Sequence, residues 1–308
     1  MKSLFFYSLA ILLTQNCLSQ TMKGFDLSDA SIPVSEIRDG GPPRDGIPSI
    51  DFPKFIKPSQ TTLKDSDRVL GVYLNGVAKA YPINILNYHE IVNDFFDREP
   101  VAITYCPLCG SGIAFEAIIQ GSRKTFGVSG LLYNSDVLLY DRQTETLWSQ
   151  LLFEAVAGPL KGKSLEIIPT ANTTWKNWKE QYPNTLVLSE DTGFNRNYSL
   201  NPYPGYETSD AIYFPLSNYD DRFKPKELVI GIEVNGKYKA YPFSTLNKLQ
   251  KKEITDVFQS KTLTIIYDSE ANSAEIFDKQ GNKLPAVTNF WFAWVAFYPD
   301  TLVFEVTP

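Results

Sequence analysis

The sequence predicts an α+β fold built from two pseudo-repeated units of mostly antiparallel strands with short helices, and three observations carry that expectation. Residues 69–82 match residues 229–242 at eight of fourteen positions, including Asn75-Gly76 against Asn235-Gly236 and the closing Lys-Ala-Tyr-Pro. Upstream, Ile50-Asp51-Phe52-Pro53 answers Ile212-Tyr213-Phe214-Pro215. Downstream, Trp175, Trp178 and Tyr182-Pro183 answer Trp291, Trp294 and Tyr298-Pro299, and Thr185-Leu186-Val187 answers Thr301-Leu302-Val303. Matching blocks in a fixed order mark an internal duplication.

Taken in order, the chain divides into five segments. Residues 1–19 read as a cleaved export signal: Lys2 supplies a positive start, residues 4–13 are apolar apart from Tyr7 and Ser8, and Cys17 and Ser19 place small residues at the −3 and −1 positions. The apolar run is about half of the roughly 20 residues that a membrane-spanning helix needs. Export to the periplasm or the medium is therefore expected, with a lipid anchor on Cys17 the lesser alternative because Asn16 stands where lipoprotein processing wants a small residue. Residues 20–49 form an N-terminal arm, 50–190 the first repeat, 191–211 a tyrosine-rich connector and 212–308 the second repeat.

Within each repeat, alternating apolar residues on both sides of Asn-Gly predict a tight hairpin, because that dipeptide accepts the positive φ of a two-residue turn. In the first repeat a helix follows Pro82, with Ile85, His89 and Val92 on its apolar face and Asn87, Glu90 and Asp94 on its polar face. A buried strand comes next, residues 101–105. The repeat closes with a helix capped near Thr174, burying Trp175, Trp178 and Tyr182 and stopped by Pro183, then a last strand at residues 185–188. The offset between repeats is 162 at the buried strand and 116 at the tryptophan helix, so the first holds 46 residues that the second lacks. That insertion includes residues 126–150.

Composition limits the chemistry. With 308 residues, 43% of them hydrophobic, the chain can bury a core, and its net charge of −6 argues against a nucleic-acid partner. One histidine and three cysteines rule out a multi-histidine metal centre and a disulfide scaffold. Loss of residues 1–19 leaves Cys106 and Cys109, which line up with Asp268 and Ala271 of the second repeat. Thiols, imidazole and insertion all fall in one half, as expected of one working half beside one supporting half.

Cys106-Pro107-Leu108-Cys109-Gly110 follows a buried strand, and two cysteines at this spacing can cycle between dithiol and disulfide, hold a metal, or staple a loop. Residues 111–128 read as a hairpin rather than a long helix, which argues against a thioredoxin-like fold. A four-cysteine zinc site is excluded. Cys106, Cys109 and His89 with one oxygen ligand are the most a single chain offers, for which copper comes before zinc. The insertion is expected to wall the thiols through Ser129, Asn134, Asp136, Asp141, Arg142 and Trp148, with Asp136 or Arg142 tuning thiolate charge. His89 is expected within a side chain's reach of Cys106 or Cys109.

Pro82 to Phe95 with His89-Glu90-Ile91-Val92-Asn93-Asp94, the stretch Tyr105-Cys106-Pro107-Leu108-Cys109-Gly110-Ser111-Gly112, and the two runs Ser129-Gly130-Leu131-Leu132-Tyr133-Asn134-Ser135-Asp136 and residues 140–150 resemble a bacterial family known as domain of unknown function 3179. Some relatives place selenocysteine in the Cys-x-x-Cys motif, so the resemblance implies redox chemistry and leaves the substrate open. The expectation is an exported thiol-based redox protein using Cys106, Cys109 and His89, with an unidentified small-molecule or protein thiol partner and no transmembrane helix in the mature chain. Metal binding through copper or zinc and a non-catalytic binding module are the alternatives.

Overall fold

A computed structural model describes residues 20–306. The export-signal reading and Cys17 lie outside the described residues. Strands hold 41% of the chain and helices 11%, and five small sheets stand in a propeller-like ring, which overturns the expected two-unit α+β arrangement. The physical reason lies in the helices. α1 (Ile83–His89), α2 (Trp175–Gln181), α3 (Phe243–Lys248) and α4 (Trp291–Phe297) have six or seven residues each, too short to form a layer over a sheet.

The first hairpin sheet pairs Arg68–Leu74 with Val77–Pro82 and is flanked by Thr170–Thr174 and Leu186–Leu188. The second hairpin sheet repeats this pairing with Leu228–Val234, Lys237–Pro242, Val287–Phe290 and Leu302–Val303. In both, the turn runs through Asn-Gly, and Asn75 and Asn235 adopt φ of 52° and 53°. Gly71 and Gly231 lie flat beneath Trp178 and Trp294, where a Cβ would strike the indole. Each indole donates 2.9 Å to a threonine, Thr185 or Thr301. The Thr174 cap is present, accepting 3.3 Å from Asn177 N.

Three sheets complete the ring. The thiol sheet joins Ile91–Phe96, Glu99–Cys106, Ser111–Glu116 and Ile167–Ile168. The insertion sheet joins Phe126–Tyr133, Asp136–Asp141, Leu147–Ser149 and Glu154–Ala157 to Ile37–Asp39 of the N-terminal arm. Glu253–Phe258, Lys261–Asp268 and Ser273–Asp278 form a three-stranded sheet in the second half.

Neighbours in the ring are tied by polar contacts. Asn93 bonds both the carbonyl and the N–H of Phe126, linking thiol and insertion sheets. Lys79 reaches Asp94 at 2.8 Å, linking the thiol sheet to the first hairpin sheet, and Thr173 reaches Ser273 at 3.2 Å, linking that sheet to the three-stranded one. Lys239 pairs with Asp256 at 2.5 Å, and Tyr298 donates its hydroxyl to Leu151 O, which closes the ring back onto the insertion. One apolar cluster gathers Cys106, Cys109, Phe115 and Trp148 from the first half with Phe290 and Phe292 from the second. This cluster crosses the halves, while the other large clusters stay within one of them.

The helix expected to continue past His89 stops there. Glu90 takes φ of 56°, and Ile91-Val92 enters a strand, so Glu90, Asn93 and Asp94 are buried rather than on a polar face. The chain after the cysteines runs into the strand Ser111–Glu116, so it is not thioredoxin-like there. Among the described residues no helix is long and apolar enough to cross a membrane.

Candidate functional site

Cys106 ends a strand and pairs across the ladder with Ser111, so residues 107–110 form the connecting turn. Cys109 N donates to Cys106 O at 3.2 Å, and Gly110 turns with φ of 63°. Two contacts from elsewhere fix this loop. Phe290 N donates to Cys109 O at 2.8 Å, and the Tyr206 hydroxyl donates to Leu108 O at 3.0 Å. Cys106 and Cys109 are free thiols, 2% and 0% exposed.

Opposite them stands the turn of the insertion hairpin. Tyr133 pairs with Asp136, leaving Asn134 and Ser135 as a two-residue turn with φ of 51° and 68°. Such a turn needs positive φ at both positions, which Asn tolerates and Ser adopts at some cost. The result is that Ser135 O faces both sulfurs, at 3.8 Å from Cys106 Sγ and 3.4 Å from Cys109 Sγ. Asp136 then follows the turn. One ligand atom each from Cys106, Cys109 and Asp136 lie within 4.8 Å of one another. Asp136 Oδ2 accepts from Leu151 N at 3.0 Å, whereas Asp136 Oδ1 and Ser135 Oγ have no partner among the described residues.

Burial dominates the electrostatics. It pushes the Asp136 carboxyl up to about 7, against the Leu151 N–H and the thiols, which favour the ionised form. Burial, then the neighbouring Asp136 charge, pushes Glu90 up to about 8. Both thiols are raised by burial, and the negative charge of Asp136 adds to that.

Of the expected site residues, Cys106, Cys109 and Asp136 converge, and Trp148 shares their apolar cluster. Asn134 holds the turn in place, donating to Ala296 O at 3.3 Å and accepting from Ser217 N at 2.7 Å. His89 is not in the cluster. Its Nδ1 lies 2.7 Å from Pro48 O and its Nε2 2.6 Å from the Tyr198 hydroxyl. A carbonyl can only accept, so Nδ1 carries the proton and Nε2 accepts from Tyr198. Both nitrogens are thus committed to anchoring the N-terminal arm and the connector.

Three more residues serve the scaffold. Arg142 binds Asp51 at 2.8 Å, Asp45 at 3.2 Å and Ser49 at 3.0 Å, tying the insertion to the chain before the first hairpin. Asp141 accepts from Thr144 N and Trp148 Nε1. Ser129 donates to Leu138 O and accepts from Leu131 N at the β-bulge between Val128 and Leu131.

Sequence reasoning left Ser135 and Glu90 out of the site set, and read the tyrosine-rich connector as a packed segment, either surface cover or a lid, without singling out Tyr206. The Asn134-Ser135 pair between two apolar runs was the signal for a two-residue turn that could aim Asp136 inward. Glu90 was hidden by a helical period that the structure breaks one residue earlier. From the connector, Tyr206 is 1% exposed above the thiol loop, and Lys226 Nζ clamps it by binding Tyr206 O, Ser209 O and Ala211 O while lying 3.5 Å from the Tyr206 ring centre.

Two facing sulfurs beside an incompletely bonded carboxyl can do two things: close to a disulfide, or hold a cation. No curated protein and no solved structure matches the chain. The family described as Protein of unknown function (DUF3179) matches residues 44–301, most of the chain, and the protein belongs to that family.

Proposed function

We propose that the protein is an exported dithiol redox protein whose working pair is Cys106 and Cys109. The observation that carries this reading is the convergence of two free thiols and the Asp136 carboxyl within 4.8 Å inside one buried cluster. Oxidation forms the S–S bond, releases two protons and passes two electrons to an oxidised thiol partner. A thiol reacts as its thiolate, and here no cationic side chain is among the groups that set the thiol acidities. Asp136, with a carboxyl oxygen within 4.8 Å of both sulfurs, is the group that takes a thiol proton. The two halves then divide the labour, the first supplying the pair and its cover and the second supplying the Phe290 contact that holds Cys109.

Serine variants of the mature chain test this. Cys106→Ser and Cys109→Ser should each abolish reversible disulfide formation while near-ultraviolet circular dichroism keeps its native form. A double serine variant that retains full activity in a cell-based assay of the protein would exclude the pair from function and favour a binding module.

A further inference from the structure

We infer that the reduced pair and Asp136 together form a binding site for a thiophilic divalent cation, zinc in the first place. Three ligand atoms, Cys106 Sγ, Cys109 Sγ and one Asp136 oxygen, lie within 4.8 Å of one another. A tetrahedral zinc site with bonds of about 2.0–2.3 Å places its ligand atoms within such a span. Asp136 Oδ2 is held by Leu151 N, so Oδ1, buried and without a partner among the described residues, is the oxygen left to bind. A buried carboxyl oxygen with only weakly donating thiols beside it is poorly compensated, and a cation is the partner that its charge and the two sulfurs share.

The loop is built to keep this geometry. Cys109 N bonds Cys106 O, Phe290 N bonds Cys109 O, and a Cβ on Gly110 would press on the Phe290 ring at 3.0 Å. The sulfurs therefore need no backbone movement to face a common point. This ligand set differs from the cysteine and histidine set expected from the sequence, because both ring nitrogens of His89 are bonded elsewhere. The change reverses the metal preference. Two thiolates with imidazole suit copper, whereas two thiolates with a carboxylate oxygen suit a borderline cation such as zinc. Three protein ligands leave one position open. Binding converts two thiols to thiolates and releases their protons. It also requires the reduced pair, because a disulfide offers no thiolate.

The test uses mature protein of residues 20–308, reduced, stripped of metal and titrated with zinc alone, with bound metal measured after desalting. The expected result is one zinc per chain for the reduced protein and none for the oxidised one. Cobalt in place of zinc should give sulfur-to-metal charge-transfer absorption and the visible bands of a tetrahedral site. Asp136→Asn should weaken zinc binding tenfold or more, and His89→Gln should leave the stoichiometry at one. A reduced protein with both thiols counted free in the presence of zinc would overturn the site, as would zinc binding unchanged by Asp136→Asn. Reversible disulfide formation without zinc uptake would remove this inference alone, whereas zinc uptake without a reversible disulfide would remove the redox reading alone.

Discussion

The turn after Cys106 and the turn after Asp268 join their strands in the same register, Cys106 opposite Ser111 and Asp268 opposite Ser273, yet they sit in opposite environments. Residues 106–110 are all buried, whereas Ser269, Glu270 and Asn272 are exposed. In the second turn the Asp268 carboxylate simply accepts from Glu270 N and Ala271 N, an arrangement any polar loop can make. In the first, the insertion hairpin and the connector cover the loop, and with that cover come Ser135 O, Asp136 and Tyr206. The shared strand framework thus places the two thiols, and the added segment brings the cover and the Asp136 carboxyl.

The surrounding scaffold repeats more faithfully than the turns. Lys79, Asp94 and Tyr81 form a buried ion pair with a tyrosine hydroxyl, and Lys239, Asp256 and Tyr241 form the same trio. The Asp94 side chain is 6% exposed and Asp256 16%, which allows the two trios to be ranked. Asp94→Asn should destabilise the protein by about 3–5 kcal/mol by leaving Lys79 buried and unpaired, and Asp256→Asn by less. Chemical denaturation of the two variants checks the order. Equal losses would show that burial around the trio is not what distinguishes the halves.

A graft sharpens the comparison further. Asp268→Cys with Ala271→Cys recreates the cysteine spacing in a turn that the insertion does not cover, with position 268 part-exposed and position 271 buried. The part-exposed thiol at position 268 should react with a thiol reagent at least tenfold faster than Cys106 in the unmodified chain, because burial, before any other cause, makes the native thiols less acidic. Similar rates in both places would mean that the cover contributes nothing to thiol behaviour.

The smallest expected effect concerns His89. Burial, with Arg196 adding, holds its pKa below the ordinary 6.5, so the His89 site binds fewer protons in the folded protein than in the unfolded chain just below that pH. The His89 contribution to stability should therefore fall as pH drops below 6.5, against the opposite contribution of Asp136 and Glu90, whose raised values of about 7 and 8 favour the folded state on acidification, and His89→Gln should remove the falling part, leaving the variant relatively more stable towards pH 5. Thermal unfolding of both proteins between pH 7 and pH 5 measures it; an unchanged slope in the variant would assign the loss to other groups.

Local features were legible in the sequence because local chemistry dictates them. Asn-Gly turns, the Thr174 cap, the tryptophan helices and the cysteine loop depend on neighbours a few residues away. The convergence of Asp136 on the thiols was also legible, since the insertion had to pack near the half that carries them. The ring was not. Which sheets face each other depends on contacts such as Asn93 with Phe126 or Tyr298 with Leu151, which leave no periodic trace. Arg142 and His89 were misplaced for a related reason: their partners, Asp45, Asp51 and Pro48, lie about 40 to 100 residues upstream, and no spacing rule ties them to the insertion or to the helix after Pro82. Glu90 followed a helical pattern that its own left-handed backbone terminates.

The central claim is that Cys106 and Cys109 act as one redox unit, and equilibration of the mature protein in thiol–disulfide buffers of graded potential tests it most directly. Free thiols counted at each potential should disappear together, in a single two-electron transition that reverses on reduction. Two thiols that persist across the whole oxidising range, or that are lost one at a time to the buffer thiol without forming an internal bond, would contradict the claim.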